Sequence, residues 1–69
     1  MRRMYDVHFF AKNPKGREYM LDHFEQVFCD GEEAAITLAF RRLPSEILRR
    51  PVHRAVAYRD MRGKRGDAR

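Results

Sequence analysis

The sequence predicts a small α+β fold: a two-layer sandwich in which one helix packs on one face of an antiparallel sheet, in the order strand, strand, helix, strand. Three observations carry this. Met4 to Ala11 alternates at period two in β-favouring residues. Asn13-Pro14-Lys15-Gly16 has the residue preferences of a type I turn. Asp30 to Leu43 sets Ile36, Ala39, Phe40 and Leu43 at i, i+3, i+4 and i+7, one apolar stripe at helical period. The 69 residues make one domain, assigned to residues 1–60, with 61–69 as a basic disordered tail.

In the first strand Tyr5, Val7 and Phe9 oppose Asp6, His8 and Phe10, so one face is apolar and the other mixed. The turn predicts a returning strand. Residues 17–29 nevertheless read two ways. At helical period Met20, Leu21, Phe24, Val27 and Phe28 form an apolar face; at period two Tyr19, Leu21, Val27 and Cys29 share a side. Hairpin chemistry before the segment, its aromatic and β-branched content, and the poverty of a two-stranded sheet favour strand. Simple pairing across the turn sets Phe10 opposite Tyr19, Phe9 opposite Met20, His8 opposite Leu21, Asp6 opposite His23 and Tyr5 opposite Phe24. One face then gathers Tyr5, Val7, Phe9, Met20 and Phe24, and the other gathers Asp6, His8, Phe10, Tyr19, Leu21 and His23. A slip of one residue would exchange the sets on one strand.

The helix has Asp30 as its expected N-cap, with Glu33 at the capping-box spacing. Arg41 and Arg42 lie in the last turn, where the helix dipole favours cations, and Pro44 stops it. Pro44 to Leu48 is expected to form a short helical turn, with Ile47 and Leu48 as a lid on the core. Val52 to Arg59 is a third strand, with Val52, Val56 and Tyr58 on one face and His53, Ala55, Ala57 and Arg59 on the other.

Composition narrows the functional classes. One cysteine, Cys29, excludes an internal disulfide, and no paired-cysteine spacing suggests zinc. A chain this short has a marginal core, so a homodimer or larger complex is expected to help it. No apolar run is long enough for a membrane span, and the opening Met-Arg-Arg-Met-Tyr-Asp lacks the apolar region of a secretory signal. The expectation is a cytoplasmic protein with no membrane partner. Fifteen cations oppose ten acids, a net charge of +5, and twelve of the cations are Arg. The guanidinium fork suits phosphate and carboxylate, although a GC-rich genome would also enrich Arg.

Two surfaces are candidates for binding. Arg41, Arg42, Arg49, Arg50 and Arg54 fall within fourteen residues and can form a patch for phosphates or acidic side chains. His8, Phe10, Tyr19 and Leu21 would lie on the sheet face that the helix leaves open, fitted to a partner protein, a second copy or stacked bases. His8, His23 and His53 suggest acid–base chemistry or a metal only weakly, because their spacing matches no motif. No P-loop, dinucleotide fingerprint, nucleophile elbow or zinc-protease motif is present. No cofactor, catalytic residue or metal ligand is assigned.

Met4-Tyr5-Asp6-Val7, followed by a short hairpin, the helix start Asp30-Gly31-Glu32-Glu33-Ala34-Ala35 and a last strand, resembles small phage-encoded accessory proteins, among them some anti-CRISPR proteins. The resemblance is topological and covers most of residues 4–60. It implies a non-catalytic protein that binds a host macromolecule or DNA, and it assigns no site residue. The leading expectation is a small non-enzymatic protein that docks a basic face onto nucleic acid or a nucleoprotein complex. A protein–protein inhibitor or modulator acting through the aromatic sheet face is the alternative, and a small ribonuclease-type toxin is the third.

Overall fold

A computed structural model describes residues 1–59. The chain runs β1 (Arg3–Lys12), β2 (Glu18–Cys29), α1 (Glu32–Arg42), α2 (Ser45–Leu48) and β3 (Val52–Arg59). The three strands form one sheet in the order β2-β1-β3, and both neighbours are antiparallel to β1. The helix α1 packs on one face, which gives the small α+β fold that the alternation, turn and stripe imply. Residues 17–29 contribute the long strand β2, so their helical reading is set aside. The tail expected at 61–69 lies outside the described residues.

The core sits between α1 and the sheet. Tyr5, Val7, Phe9 and Ala11 from β1, Leu21, Val27 and Cys29 from β2, Ala57 from β3, and Ala35, Ala39 and Leu43 from the helical side are buried. Alternation along β1 makes this possible: its odd residues point at the helix. On α1 the stripe is rotated from the expected one. Ala35 and Ala39 are fully buried, Ile36 and Leu38 are partly buried against the core, and Phe40 lies at the margin with its ring edge-on to Phe9 at 5.2 Å. Small residues under the helix allow it to sit near the strands. Ile47 of α2 covers the core edge as expected, whereas Leu48 is exposed.

The hairpin register departs from simple pairing, for two backbone reasons. First, the connection is a three-residue loop between Asn13 and Arg17 rather than a two-residue one. Gly16 N–H donates to Asn13 O at 2.8 Å, Asn13 N–H donates to Arg17 O at 2.9 Å, and Gly16 takes φ +83°, a left-handed conformation suited to glycine. The Asn13 side chain closes the turn by accepting from the Lys15 and Arg17 amides, each at 2.9 Å. Lys12 therefore pairs with Glu18, Ala11 with Tyr19 and Phe10 with Met20. Second, β2 carries two surplus residues between Met20 and Phe24, where β1 has only Phe9 between Phe10 and His8. Beyond this bulge His8 pairs with Phe24, Asp6 with Gln26, Tyr5 with Val27 and Met4 with Phe28.

The loop alone exchanges the faces of β2, because it moves the pairing by one residue, whereas the even surplus in the bulge moves the partners and keeps the faces. Leu21 is buried under the helix, and Tyr19 shares the helix side with its partner Ala11; neither lies on the open face as expected. Met20 and Phe24, expected in the core, project from the open face beside Phe10 and His8. A one-residue bulge in β3 likewise corrects the third strand. Phe10 pairs with Arg54 but Ala11 with Val52, so Val52 turns to the core while Val56 and Tyr58 remain on the open face.

The helix start also differs. Gly31, not Asp30, is the N-cap, and no side chain caps the first turn. Gly31 is extended (φ −170°) and its carbonyl accepts from Ala35 N–H at 3.0 Å. Glu32 and Glu33 still favour this end through the helix dipole, and Arg41 and Arg42 favour the other. The buried Cys29 thiol lies 3.3 Å from the Gly31 carbonyl oxygen, to which it donates.

Candidate functional site: the uncovered sheet face

One helix covers one face of a three-stranded sheet, and no described helix covers the other. Register assigns it Met4, Asp6, His8, Phe10 and Lys12 from β1. Glu18, Met20, Phe24, Gln26 and Phe28 join from β2, and Arg54, Val56 and Tyr58 from β3. Met4, Met20, Phe24, Phe28 and Tyr58 are 38, 53, 40, 56 and 49% exposed. Unbranched methionines alternate there with aromatic rings, a combination that adapts to a partner surface. His8 lies at the centre. Its ring stacks on Phe24 at 5.0 Å between centroids and meets Tyr58 edge-on at 5.5 Å. Each of the three strands thus contributes one ring to the middle of the face.

Two polar pairs on this face bond to each other across strands, Glu18 with Arg54 and Gln26 with Asp6. Glu18, at the start of β2, reaches over the central strand to β3. Its carboxylate accepts two hydrogen bonds from Arg54, Nε at 2.6 Å and Nη2 at 2.7 Å, the planar fork geometry of a bidentate pair. His53 Nε2 lies 2.7 Å from the same carboxylate. The Arg54 guanidinium also rests 4.4 Å above the Phe10 ring. Arg54, first by hydrogen bonding and then by its charge, lowers the Glu18 pKa to about 2, with His53 adding to the effect. The Arg54 pKa is raised in turn, chiefly by the hydrogen bond to Glu18. A carboxylate held this acidic is a clamp between strands and a poor proton acceptor near neutral pH. At the far end Gln26 Nε2 donates to Asp6 Oδ1 at 2.9 Å.

The arginines of the sequence cluster do not converge. Arg54 is on the open sheet face, fixed by Glu18, while α1 lies on the other side of the sheet. Arg41, Arg42, Arg49 and Arg50 are exposed along the corner formed by the end of α1 and the end of α2. Arg42 Nη1 donates to Gln26 O at 3.1 Å and ties that corner to β2. The histidines are also dispersed: His8 is among rings, His23 in the β2 bulge contacts Glu25, and His53 contacts Glu18. Among the described residues no group of three or more His, Cys, Asp or Glu is placed to hold a metal.

Of the expected interaction face, the structure keeps His8 and Phe10 and replaces Tyr19 and Leu21 with Met20 and Phe24. Sequence reasoning missed Met4, Phe28, Val56 and Tyr58 as members. Their signal was available: β2 carries two interleaved apolar sets at period two, and a single helix can bury only one. Among the described residues no helix is long and apolar enough to cross a membrane. Comparison of the chain with protein families, with curated proteins and with solved structures gives no match.

Proposed function

We propose that this chain is a non-enzymatic binding module whose working surface is the uncovered sheet face, and that it recognises protein. The observation that supports this most is the set of exposed apolar side chains that three strands bring to one face, Met20, Phe24 and Tyr58 about His8, with Met4 and Phe28 beyond the Asp6–Gln26 pair. Monomeric proteins seldom expose this many large apolar side chains on one face without a use for it. Of the two cations on this face Arg54 is committed to Glu18, which leaves Lys12 at one end as a single contact for a phosphate. The likeness to phage-encoded accessory proteins accords with such a role, namely capture of a macromolecule without chemistry.

A second reading rests on the α1–α2 corner. Arg41, Arg49 and Arg50 are exposed and make no ion pair among the described residues. They suit a phosphate backbone held without sequence readout.

One capture experiment separates the two. The tagged chain is pulled down from a lysate that also contains an untagged copy, with and without nuclease. Protein capture that survives nuclease and is lost in Phe24→Asp supports the sheet face. Capture that nuclease abolishes, or that Arg49→Glu/Arg50→Glu abolishes while Phe24→Asp does not, transfers the function to the basic corner.

A further inference from the structure

We infer that the protein seated on the uncovered sheet face is a second copy of the same chain, the two sheets packing face to face with the helices outside. This rests on the reading of that face as a protein-binding surface and names its occupant.

The first support is the thinness of the core. Four of the eleven buried core residues are alanines, Ala11, Ala35, Ala39 and Ala57. The chain has no disulfide, and no metal cluster is formed by the described residues. A core of this size is marginal by itself, and a partner subunit is one common way to add to it. A second apolar layer, built from Met20, Phe24, Phe28 and Tyr58 of each copy, would do so.

The second support is area. With about 200 Å² for each large side chain, the exposed fractions of Met4, Met20, Phe24, Phe28 and Tyr58 leave on the order of 500 Å² of apolar surface open. Two copies would bury about 1,000 Å² of it, and at the apolar share usual in homodimers, about 65%, the whole interface comes to roughly 1,500 Å². That falls within the standard size for a specific complex, about 1,200–2,000 Å². The same patch supplies both halves of a two-fold interface, so no second surface is required.

The third support is charge. The chain carries +5, which opposes self-association. On the open face, however, Asp6 and Glu18 balance Lys12 and Arg54, and Glu18 is bonded to Arg54 directly. The described side chains that register assigns to this face therefore carry no net charge, and they meet those of a second copy without like-charge repulsion. A nucleic acid would gain little from a neutral face; a second copy gains most from one.

The test is the molar mass of the full chain by sedimentation equilibrium over a concentration series. The measurement is repeated at about 50 mM and about 500 mM salt, a range over which charge–charge repulsion is strongly screened. A dimer is expected, twice the 8.3 kDa chain mass, persisting or strengthening at high salt. Met20→Glu and Phe24→Asp should each convert it to a monomer that keeps its far-ultraviolet circular dichroism. Tyr58→Glu, at the other edge of the face, provides a further variant if either fails to fold. Arg41→Glu should leave the mass unchanged. A wild-type chain that is monomeric at millimolar concentration overturns the inference, as does a dimer that survives all three face variants, because it would be joined by a strand edge instead. A monomer whose face variants still lose capture of another protein overturns the second copy alone and leaves the binding face intact. Face variants that change neither mass nor capture overturn both.

Discussion

Phe9 and Glu18 mark two extremes of what one side chain contributes here. Phe9 is fully buried on the central strand, with the Phe40 ring against it. Truncation to Ala should cost about 3–5 kcal/mol through lost burial and the cavity left behind. A chain of this length has a total stability of only about 3–10 kcal/mol. Urea titration of Phe9→Ala should therefore find it largely unfolded, or with a midpoint far below wild type. Glu18 faces solvent, so its pair with Arg54 contributes modestly, yet it leaves a distinct signature in pH. Its folded pKa, about 2, lies below the ordinary value of 4.5. The stabilisation is therefore fully present above pH 4.5 and is lost as pH falls toward 2. Glu18→Gln should melt below wild type at pH 7, and the two melting curves should draw together as the pH approaches 2.

At the scale of elements, Gly16 and Gly31 have opposite roles. Gly16 holds φ +83° in the turn, so Gly16→Ala should lower stability by about 1–2 kcal/mol, although nothing lies within 4 Å of an added Cβ. Gly31 is extended, its added Cβ also meets nothing, and the first turn of α1 has no side-chain cap. Gly31→Ser should raise stability by a few tenths of a kcal/mol, roughly the advantage of Ser over Gly at an N-cap. Denaturation midpoints moving the same way in both variants would contradict this account. The elements are also where the sequence was most informative. The alternation of Tyr5, Val7 and Phe9, the Asn-Pro-Lys-Gly turn and the apolar period after Asp30 were legible because each is a local pattern with a local cause. The pairing of β2 was not, because it depends on whether the loop takes two residues or three and on a surplus of two residues opposite Phe9. Neither leaves a periodic trace, and the apolar residues on both sides of β2 fit either register. The cap was misplaced for a related reason: Asp30 has suitable chemistry, but the chain enters the helix one residue later.

At the scale of the whole molecule, β1 is the only strand among the described residues that is paired on both sides. Amide exchange should accordingly be slowest from Tyr5 to Phe10, and faster on the outer amides of β2 and β3. Equal protection across all three strands would show that their outer edges are covered as well. The candidate surface was only half legible at this scale, because a face belongs to three strands at once and one misread register moves residues between the core and the exterior. Met20 and Phe24 against Leu21 are the particular case. The basic cluster shows the complementary lesson: Arg54 lies five residues beyond Arg49 in sequence, but a β-strand carries it to the other side of the sheet.

The surplus in β2 has a consequence for how this chain can vary in length. The bulge adds an even number of residues, so the alternation of inward and outward positions resumes unchanged beyond it. Removal of Asp22 and His23 would leave Leu21 opposite Phe9, both inward, and Phe24 still opposite His8, both outward. Removal of only one would turn Val27 and Cys29 outward and Phe28 inward. The middle of β2 thus behaves as a reading frame counted in twos: insertions and deletions there are tolerable in pairs, and a single residue scrambles everything from Phe24 to the helix.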